Sequence, residues 1–225
     1  MIKVVVAINR KPGMDVEAFQ DHWLNQHPEP ILKLAGLRRY VQSHVRPSGY
    51  RGGRELVHDG IAELWFDDMA ALKATNGTPE MAAVAADEDR FIDPNGRVLL
   101  VCDEHVIVDN PPPANAIKNV EFIHRKQGMS VADYQRCWRD VHGPLAAKIP
   151  SIRRYVQSHC RPGGYRDGRE PTYDGIAVTW FESTDAMRQG ATSDAYAATR
   201  ADEPNFIDTE RLNIILTTEH VILEG

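Results

Sequence analysis

The chain is poor in several features, and each scarcity argues against a class of protein. Its 225 residues include only three cysteines and no CxxC pair, which predicts free thiols in a reducing compartment rather than a disulfide framework. No apolar run approaches the roughly 18 residues of a membrane span, and the one near the first residue is too short for a secretory signal. The formal charge of -6 argues against a nucleic-acid or anionic-membrane partner. We therefore expect a cytoplasmic protein that acts on a small molecule.

The common cofactor-binding motifs are missing as well. The phosphate-binding patterns GxGxxG and GxxxxGK[ST] do not occur, and neither do the metal-binding patterns HExxH and HxH. We therefore expect no cofactor and no metal ion. Haem stays open as an alternative, because a single axial histidine needs no spaced pair of ligands.

The most informative feature is an internal duplication. Residues 3 to 107 reappear at 118 to 222 at one fixed offset, most visibly as RRYVQSHVRPSGYRGGRE from Arg38 and RRYVQSHCRPGGYRDGRE from Arg153. A proline-rich linker, residues 109–116, separates repeat 1 (1–108) from repeat 2 (117–225). Two copies of a domain in one chain are the covalent counterpart of a homodimer with a pseudo-twofold axis.

Within each repeat the pattern predicts strand, helix, strand, long turn, strand, helix and strand. The first helix is expected to begin after Asp15 in repeat 1 and after Ser130 in repeat 2, since both residue types are good N-caps. The stripe of apolar residues on this helix places His27, and His142 in repeat 2, one turn beyond a tryptophan on the inward side. In repeat 1, Pro28 ends the helix at the histidine.

The second strand carries polar and apolar residues in alternation, so its two faces differ. We expect Val41 and Val45 to face the helices, and Tyr40, Gln42 and His44 to face away from them. The predicted fold class is α+β: two ferredoxin-like (split βαβ) repeats packed sheet to sheet as a pseudo-dimeric α+β barrel. Its central cavity would be lined by these polar residues and their equivalents in repeat 2.

Tyrosine and histidine in such a cavity suit acid–base catalysis. His44 or His159 can serve as a general base, while Tyr40 or Tyr155 donates a hydrogen bond to a developing enolate oxygen. His27 or His142 can orient that pair or complete a proton relay. Structural alternatives stay open: His27 and His142 can cap helix ends, and the strand residues can form a polar network between the halves.

A second set of residues is predicted to bind substrate: Gln42, Gln157, Trp65, Trp180, Arg51, Arg166 and Glu121. Glu121 and Asn119 replace Val6 and Val4 of repeat 1, whereas Glu63 of repeat 1 is replaced by Val178, so the halves are not equivalent. Burial would raise the pKa of Glu121 and make it an acid–base group. Arg51 and Arg166 lie in Gly- and Arg-rich turns, which are either mobile lids or solvated loops.

The strings RKPGM, WxxxH, RRYVQSH, DGIAELWF and DExxFID resemble those of the EthD family of the dimeric α+β barrel superfamily, in both repeats. The resemblance implies a ligand cavity and, by similarity to lactone isomerases of that superfamily, functional roles for His27, Tyr40, His142 and Tyr155. The resemblance does not specify one reaction, but the histidine and tyrosine residues favour a cofactor-independent cyclase, dehydratase or isomerase acting on an aromatic, polyketide-like or lactone carbonyl compound. An EthD-type oxidoreductase or accessory protein and a non-catalytic binder of a hydrophobic metabolite are the alternatives, and a homodimer is possible.

Overall fold

The computed structural model describes all 225 residues. Each repeat has the order β-α-β-β-α-β, with each helical layer divided into two helices. Repeat 1 contains β1 (Ile2–Ile8), α1 (Val16–Asn25), α2 (Pro28–Ile31), β2 (Leu37–Val45), β3 (Gly60–Phe66), α3 (Met69–Ala74), α4 (Pro79–Phe91) and β4 (Val98–Asp109). Repeat 2 contains β5 (Ile117–Ile123), α5 (Val131–Cys137), α6 (Gly143–Ala146), β6 (Ile152–Cys160), β7 (Gly175–Phe181), α7 (Thr184–Gly190), α8 (Asp194–Asp202) and β8 (Asn213–Leu223).

The chain forms two compact units whose limits differ from those of the repeats. Unit 1 comprises Met1–Val101 with Glu219–Gly225, and unit 2 comprises Cys102–Thr218. The chain passes from unit 1 into unit 2 within β4 and returns within β8. β4 and β8 are the longest strands, with 12 and 11 residues, and each contributes residues to both units.

The sheet in each unit is antiparallel. In unit 1, β3 lies between β1 and β2. In unit 2 the order is β8, β5, β7, β6 and β4, so that β7 lies between the first two strands of repeat 2. This register places Asn119 opposite Thr179 and Thr179 opposite Tyr155, which makes a row across three neighbouring strands.

The orientation of β2 differs from the sequence-based expectation. Tyr40 packs into the helix-side core with Phe19 and Trp23, and His44 stacks on the Trp23 ring at 4.1 Å. Val41 is on the opposite face, and it is also fully buried. Because both faces of the strand are buried, the alternation of polar and apolar residues does not reveal which face meets the helices.

The two glutamines tolerate the helix side because their side-chain amides are hydrogen-bonded there. Gln42 Nε2 donates to the Trp23 main-chain oxygen at 2.7 Å, and Gln157 Nε2 donates to that of Trp138 at 2.9 Å. Buried polar groups cost little when each finds a partner. Tyr40, Gln42 and His44, with Tyr155, Gln157 and His159, therefore belong to the helix–sheet interface of their own unit, and the expectation that they face away from the helices is wrong.

The starts of the first helices are confirmed, but the two helices end differently. Asp15 accepts from the N–H groups of Glu17 and Ala18, and Ser130 accepts from that of Asp133. In repeat 2 the helix continues through a π-helical turn, Trp138–His142, where Gly143 occupies the position of Pro28. The Gly143 N–H bonds to the Trp138 oxygen, a bond that proline cannot make.

The turns after β2 and β6 are tied to the sheet through tyrosine. Tyr50 donates to Asp59 and Tyr165 donates to Asp174, both at 2.8 Å. The Arg125 side chain also bonds to Asp174, and its guanidinium makes two further bonds to Glu170. These contacts support the loop interpretation of the turns. None of the helices combines the length and the apolar character that crossing a membrane would require.

Candidate active site

Each unit has a cavity between its sheet and its helices, and the two cavities differ in size and polarity. The cavity of unit 2 has a volume of about 350 Å³, and that of unit 1 about 80 Å³. Only the larger volume falls in the range of roughly 300–1,000 Å³ that is usual for small-molecule sites. The walls of the larger cavity are mainly apolar and include Ile149, Ile152, Phe181, Met187 and Leu216.

Polar side chains on the sheet form one side of the unit 2 cavity. Asn119 and Glu121 come from β5, Thr179 from β7 and Tyr155 from β6. Asn119 Nδ2 donates to Glu121 Oε1 at 2.8 Å and to Thr179 Oγ1 at 3.3 Å. Alternation along each strand turns all four towards the helices, so the sheet offers a connected polar strip to a ligand.

The Tyr155 hydroxyl is positioned as a hydrogen-bond donor. Its oxygen accepts bonds from Trp138 Nε1 and from Gln157 Nε2, each at 3.0 Å. Because both partners donate, the hydroxyl hydrogen is left for a third group, and the cavity lies beside the ring. Burial raises the pKa of Tyr155 well above its ordinary value, which keeps the phenol protonated near neutral pH.

His142 is the histidine that borders the unit 2 cavity. Its Nδ1 lies 3.2 Å from Asp202 Oδ2, whereas Nε2 makes no hydrogen bond. A carboxylate partner at Nδ1 favours the tautomer in which Nδ1 carries the hydrogen and Nε2 is the free acceptor. Burial lowers the pKa of His142, partly opposed by Asp202, so the ring is neutral and able to accept a proton at pH 7.

Glu203 supplies a second titratable group to the cavity. It follows α8 directly and is only 5% exposed. Its Oε1 accepts a bond from Arg200 Nη1 at 2.8 Å, and Oε2 lies 2.6 Å from the same nitrogen. Burial raises the pKa of Glu203 to about 7 despite the neighbouring arginine, which makes this carboxyl able to exchange a proton near neutrality.

His44 and His159 are placed differently from the expected general base. Neither lines the unit 1 cavity or the unit 2 cavity. His159 stacks on Trp138 at 4.4 Å, and its Nε2 bonds to Gln157 Oε1 at 2.9 Å. Burial lowers the pKa of His44 and of His159 to about 3, so both stay neutral. The chain of contacts from His159 through Gln157 to the Tyr155 hydroxyl fits a positioning role.

The remaining predicted binding residues lie outside the unit 2 cavity. Gln157 is buried beneath it and holds Tyr155, as Gln42 holds Tyr40 at 2.8 Å in unit 1. Trp65 and Trp180 lie on the sheet face that points away from the helices, where Lys3 and Lys118 contact their rings at 4.8 Å. On that same face of unit 1, Lys3 pairs with Glu63 at 2.8 Å. Arg51 and Arg166 are in the turns after β2 and β6 and line neither cavity.

The unit 1 cavity has counterparts of some of the polar residues of the unit 2 cavity, but apolar side chains fill most of its space. His27 bonds through Nδ1 to Asp87 at 2.8 Å, and Tyr40 and Glu88 also border the cavity. Five apolar residues stand where repeat 2 has smaller or more polar ones: Val4 for Asn119, Val6 for Glu121, Ile31 for Ala146, Leu64 for Thr179 and Val84 for Thr199. The extra methyl groups and the loss of polar atoms explain both the smaller volume and the apolar lining.

Sequence reasoning missed Asp202, Glu203, Thr179 and Arg200. Asp202 and Glu203 begin the DEPNFID string, whose counterpart DEDRFID occurs in repeat 1, so the repeated acidic pair was a signal that could have found them. Their role depends on helix α8 bringing Asp202 to His142, which lies 60 positions away in sequence. Arg200 has no such signal, since repeat 1 has Ala85 at this position.

Comparison with known proteins identifies a family. The family model of the EthD domain matches the chain twice, at residues 11–95 and 126–210. No curated protein matches significantly.

Solved structures share the fold at low sequence identity. An anthrone oxidase-like protein superposes with a TM-score of 0.66 at 11% identity, covering 98% of this chain and 92% of its own. A protein from Lactobacillus acidophilus, assigned provisionally as a monooxygenase, gives 0.59 at 8% identity, with 100% and 96% coverage. A mutant chlorite dismutase from Candidatus Nitrospira defluvii gives 0.53 at 9% identity, with 96% and 91% coverage.

Proposed function

The chain belongs to the EthD domain family, and from this premise we propose that it is a small-molecule enzyme that performs cofactor-independent acid–base chemistry in the cavity of unit 2. The observation that carries the proposal is the convergence of His142, Tyr155, Glu121 and Glu203 on one cavity of about 350 Å³. A pocket with apolar walls and a few polar groups of perturbed pKa is the usual form of an active site. The sheet-to-sheet packing of the two repeats stays a prediction.

The chemistry begins with removal of a proton from a carbon beside a carbonyl group. His142 Nε2 accepts this proton, while Asp202 at Nδ1 orients the ring and stabilises the imidazolium that forms. The Tyr155 hydroxyl donates to the carbonyl oxygen and bonds most strongly as that oxygen becomes an enolate. Position and electrostatics therefore supply the catalysis, and no cofactor is needed for this step.

The lining of the cavity favours an aromatic or polyketide-like substrate. Phe181, Met187 and the aliphatic residues provide apolar walls, and the polar strip Asn119, Thr179 and Tyr155 can bind carbonyl or hydroxyl oxygens. An anthrone is a compound of this kind, and the name of one structural neighbour mentions it. A substrate of this class would bury most of its surface and orient itself through its oxygens.

Oxidation is a second candidate function, favoured by the names of two structural neighbours. It shares the first step, since the carbanion formed by proton removal can react with dioxygen. For anthrone that reaction yields anthraquinone and one molecule of water, with dioxygen as the oxidant. The two candidates therefore differ in the fate of the carbanion after the proton is lost.

Hydrogen–deuterium exchange into anthrone tests the proposal. Under argon in D₂O, the wild-type protein should exchange the methylene hydrogens faster than buffer does. His142→Asn and Tyr155→Phe should each lower the enzymatic rate by about 100-fold or more. The matched control is His27→Asn, which changes the equivalent histidine of the filled cavity and should leave the rate unchanged.

The same assay separates the alternatives. Lack of exchange by the wild type, or equal loss from His142→Asn and His27→Asn, would contradict the proposal. Rapid formation of anthraquinone in air would select the oxidase over the cyclase, dehydratase or isomerase. A Soret absorbance band in the purified protein would contradict cofactor independence and support haem.

A further inference from the structure

Two carboxyl groups border the unit 2 cavity from different layers. Glu121 comes from the sheet and Glu203 from the helical layer. Asn119 holds Glu121, whereas Arg200 holds Glu203 through one oxygen. The second oxygen of Glu203 is buried and accepts no hydrogen bond of acceptable geometry, although Arg200 Nη1 is close. The Glu203 side chain borders the cavity, and this oxygen is not committed to a hydrogen bond.

Charge neutralisation around these carboxyls is incomplete. Arg200 is the cation beside them, and its side chain is 42% exposed, so water screens part of its charge. Glu121 and Asp202 both disfavour ionisation of Glu203, and burial does so more strongly. Burial also raises the pKa of Glu121. Two buried carboxyls with one screened cation retain a proton near neutrality.

This arrangement is specific to repeat 2. Repeat 1 keeps the glutamate as Glu88, which pairs with Arg97 at 3.4 Å. However, it has Val6 in place of Glu121 and Ala85 in place of Arg200. Both repeats therefore have a glutamate at this position, but only Glu203 of repeat 2 borders the larger cavity.

Given the proposed function, on which this step rests, we infer that Glu203 is the general acid of the reaction and that the reaction class is the loss of water from a β-hydroxy ketone. His142 Nε2 takes the proton from the carbon between the carbonyl and the hydroxyl-bearing carbon. The enolate electrons form the carbon–carbon double bond as the carbon–oxygen bond breaks, and Glu203 gives its proton to the departing hydroxyl to make water.

Both groups return to their starting states through solvent. The imidazolium of His142 releases its proton, and the Glu203 carboxylate takes one up, so the net change is one ketone converted to an enone and one water. Hydroxide is a poor leaving group, and a proton donor in place removes that obstacle. A simple keto–enol isomerisation would need no second acid, and this is why the pair indicates dehydration.

The bicyclic β-hydroxy ketone 3-hydroxy-1-tetralone gives separate readouts for the two steps. Deuterium entry at its C2 in D₂O reports proton removal, and fluorescent 1-naphthol, formed by loss of water and tautomerisation, reports dehydration. Glu203→Gln keeps the size of the side chain and an oxygen that accepts from Arg200. We expect it to lower naphthol formation by about 100-fold or more, within the usual contribution of a general acid, while C2 exchange changes less than about threefold.

The pH dependence distinguishes an acid from a structural residue. Dehydration by the wild type should fall as the pH rises through about 7, where Glu203 loses its proton. Glu121→Gln should move this fall to lower pH, because a neighbouring negative charge is removed. The control Glu88→Gln should leave both readouts and the pH profile unchanged.

The outcomes separate this inference from the proposed function. Failure of the wild type to exchange C2 hydrogen would overturn the proposed function itself. Exchange in the wild type together with naphthol formation by Glu203→Gln at the wild-type rate would overturn only the role of Glu203. Equal loss of exchange and dehydration in Glu203→Gln would show a structural role and would also overturn the inference.

Discussion

Tyr155→Phe, compared with Tyr40→Phe, separates the stability of the helix–sheet interface from catalysis. Both changes remove a buried hydroxyl from equivalent positions. In repeat 2 the loss leaves Trp138 Nε1 without an acceptor, whereas Gln157 keeps its bond to the Trp138 oxygen. Gln42 likewise keeps its 2.7 Å bond to the Trp23 oxygen.

The expected magnitudes differ between stability and activity. A buried donor left unsatisfied costs about 1–3 kcal/mol. Tyr155→Phe removes an acceptor of Trp138 Nε1 and Gln157 Nε2, whereas Tyr40→Phe removes one of Gln42 Nε2, so Tyr155→Phe should lose at least as much unfolding free energy. For catalysis, loss of a donor to a developing oxyanion typically lowers kcat by about 100- to 1,000-fold. Of these two cavities, that of unit 2 is the larger, at about 350 Å³ against about 80 Å³, so under the proposed function this loss should occur in Tyr155→Phe alone.

Urea denaturation measures the first quantity, and exchange of anthrone hydrogens in D₂O measures the second. Rates are compared per folded molecule, under conditions where both variants remain native. Full activity in Tyr155→Phe would remove the tyrosine from the mechanism. An equal fall in activity in both variants would mean that both cavities take part in catalysis, which contradicts the inference drawn from their different volumes.

Two further predictions concern the contrast between the repeats and the buried acid. Ala146→Ile introduces the isoleucine of repeat 1 into the large cavity, and it should abolish turnover of anthrone without lowering the melting temperature. The matched variant Ile31→Ala should cost about 2–5 kcal/mol of stability and leave turnover intact. Turnover by Ala146→Ile would show that the site lies elsewhere. Glu203 has a folded-state pKa raised from 4.5 to about 7, so its stabilising contribution is complete below pH 4.5 and is lost as the pH rises to 7. The difference in unfolding free energy, Glu203→Gln minus wild type, should therefore increase by up to about 3 kcal/mol from about pH 5 to about pH 8. Urea denaturation measures this difference, and a value that does not change with pH would refute the raised pKa of Glu203.

Much of the local structure is encoded in short stretches of sequence. The fixed offset between the copies reveals two repeats, and capping by Asp15 and Ser130 depends on side chains two or three residues from the bonded N–H groups. The replacement of Val4 and Val6 by Asn119 and Glu121 is visible in the sequence itself and shows that the halves are unequal. These features are legible because their causes lie in neighbouring residues or in direct comparison of the copies.

The location of the site required the tertiary structure. Alternation along β2 separates Tyr40 from Val41, but both faces of this strand are buried, and only packing against Trp23 shows which one meets the helices. The pairing of His142 with Asp202 likewise depends on how two helices dock, a contact that spacing along the chain does not encode. Sequence alone thus determined the repeats and the residue types available, whereas packing decided which of them share a cavity, because burial and proximity arise only when distant segments meet.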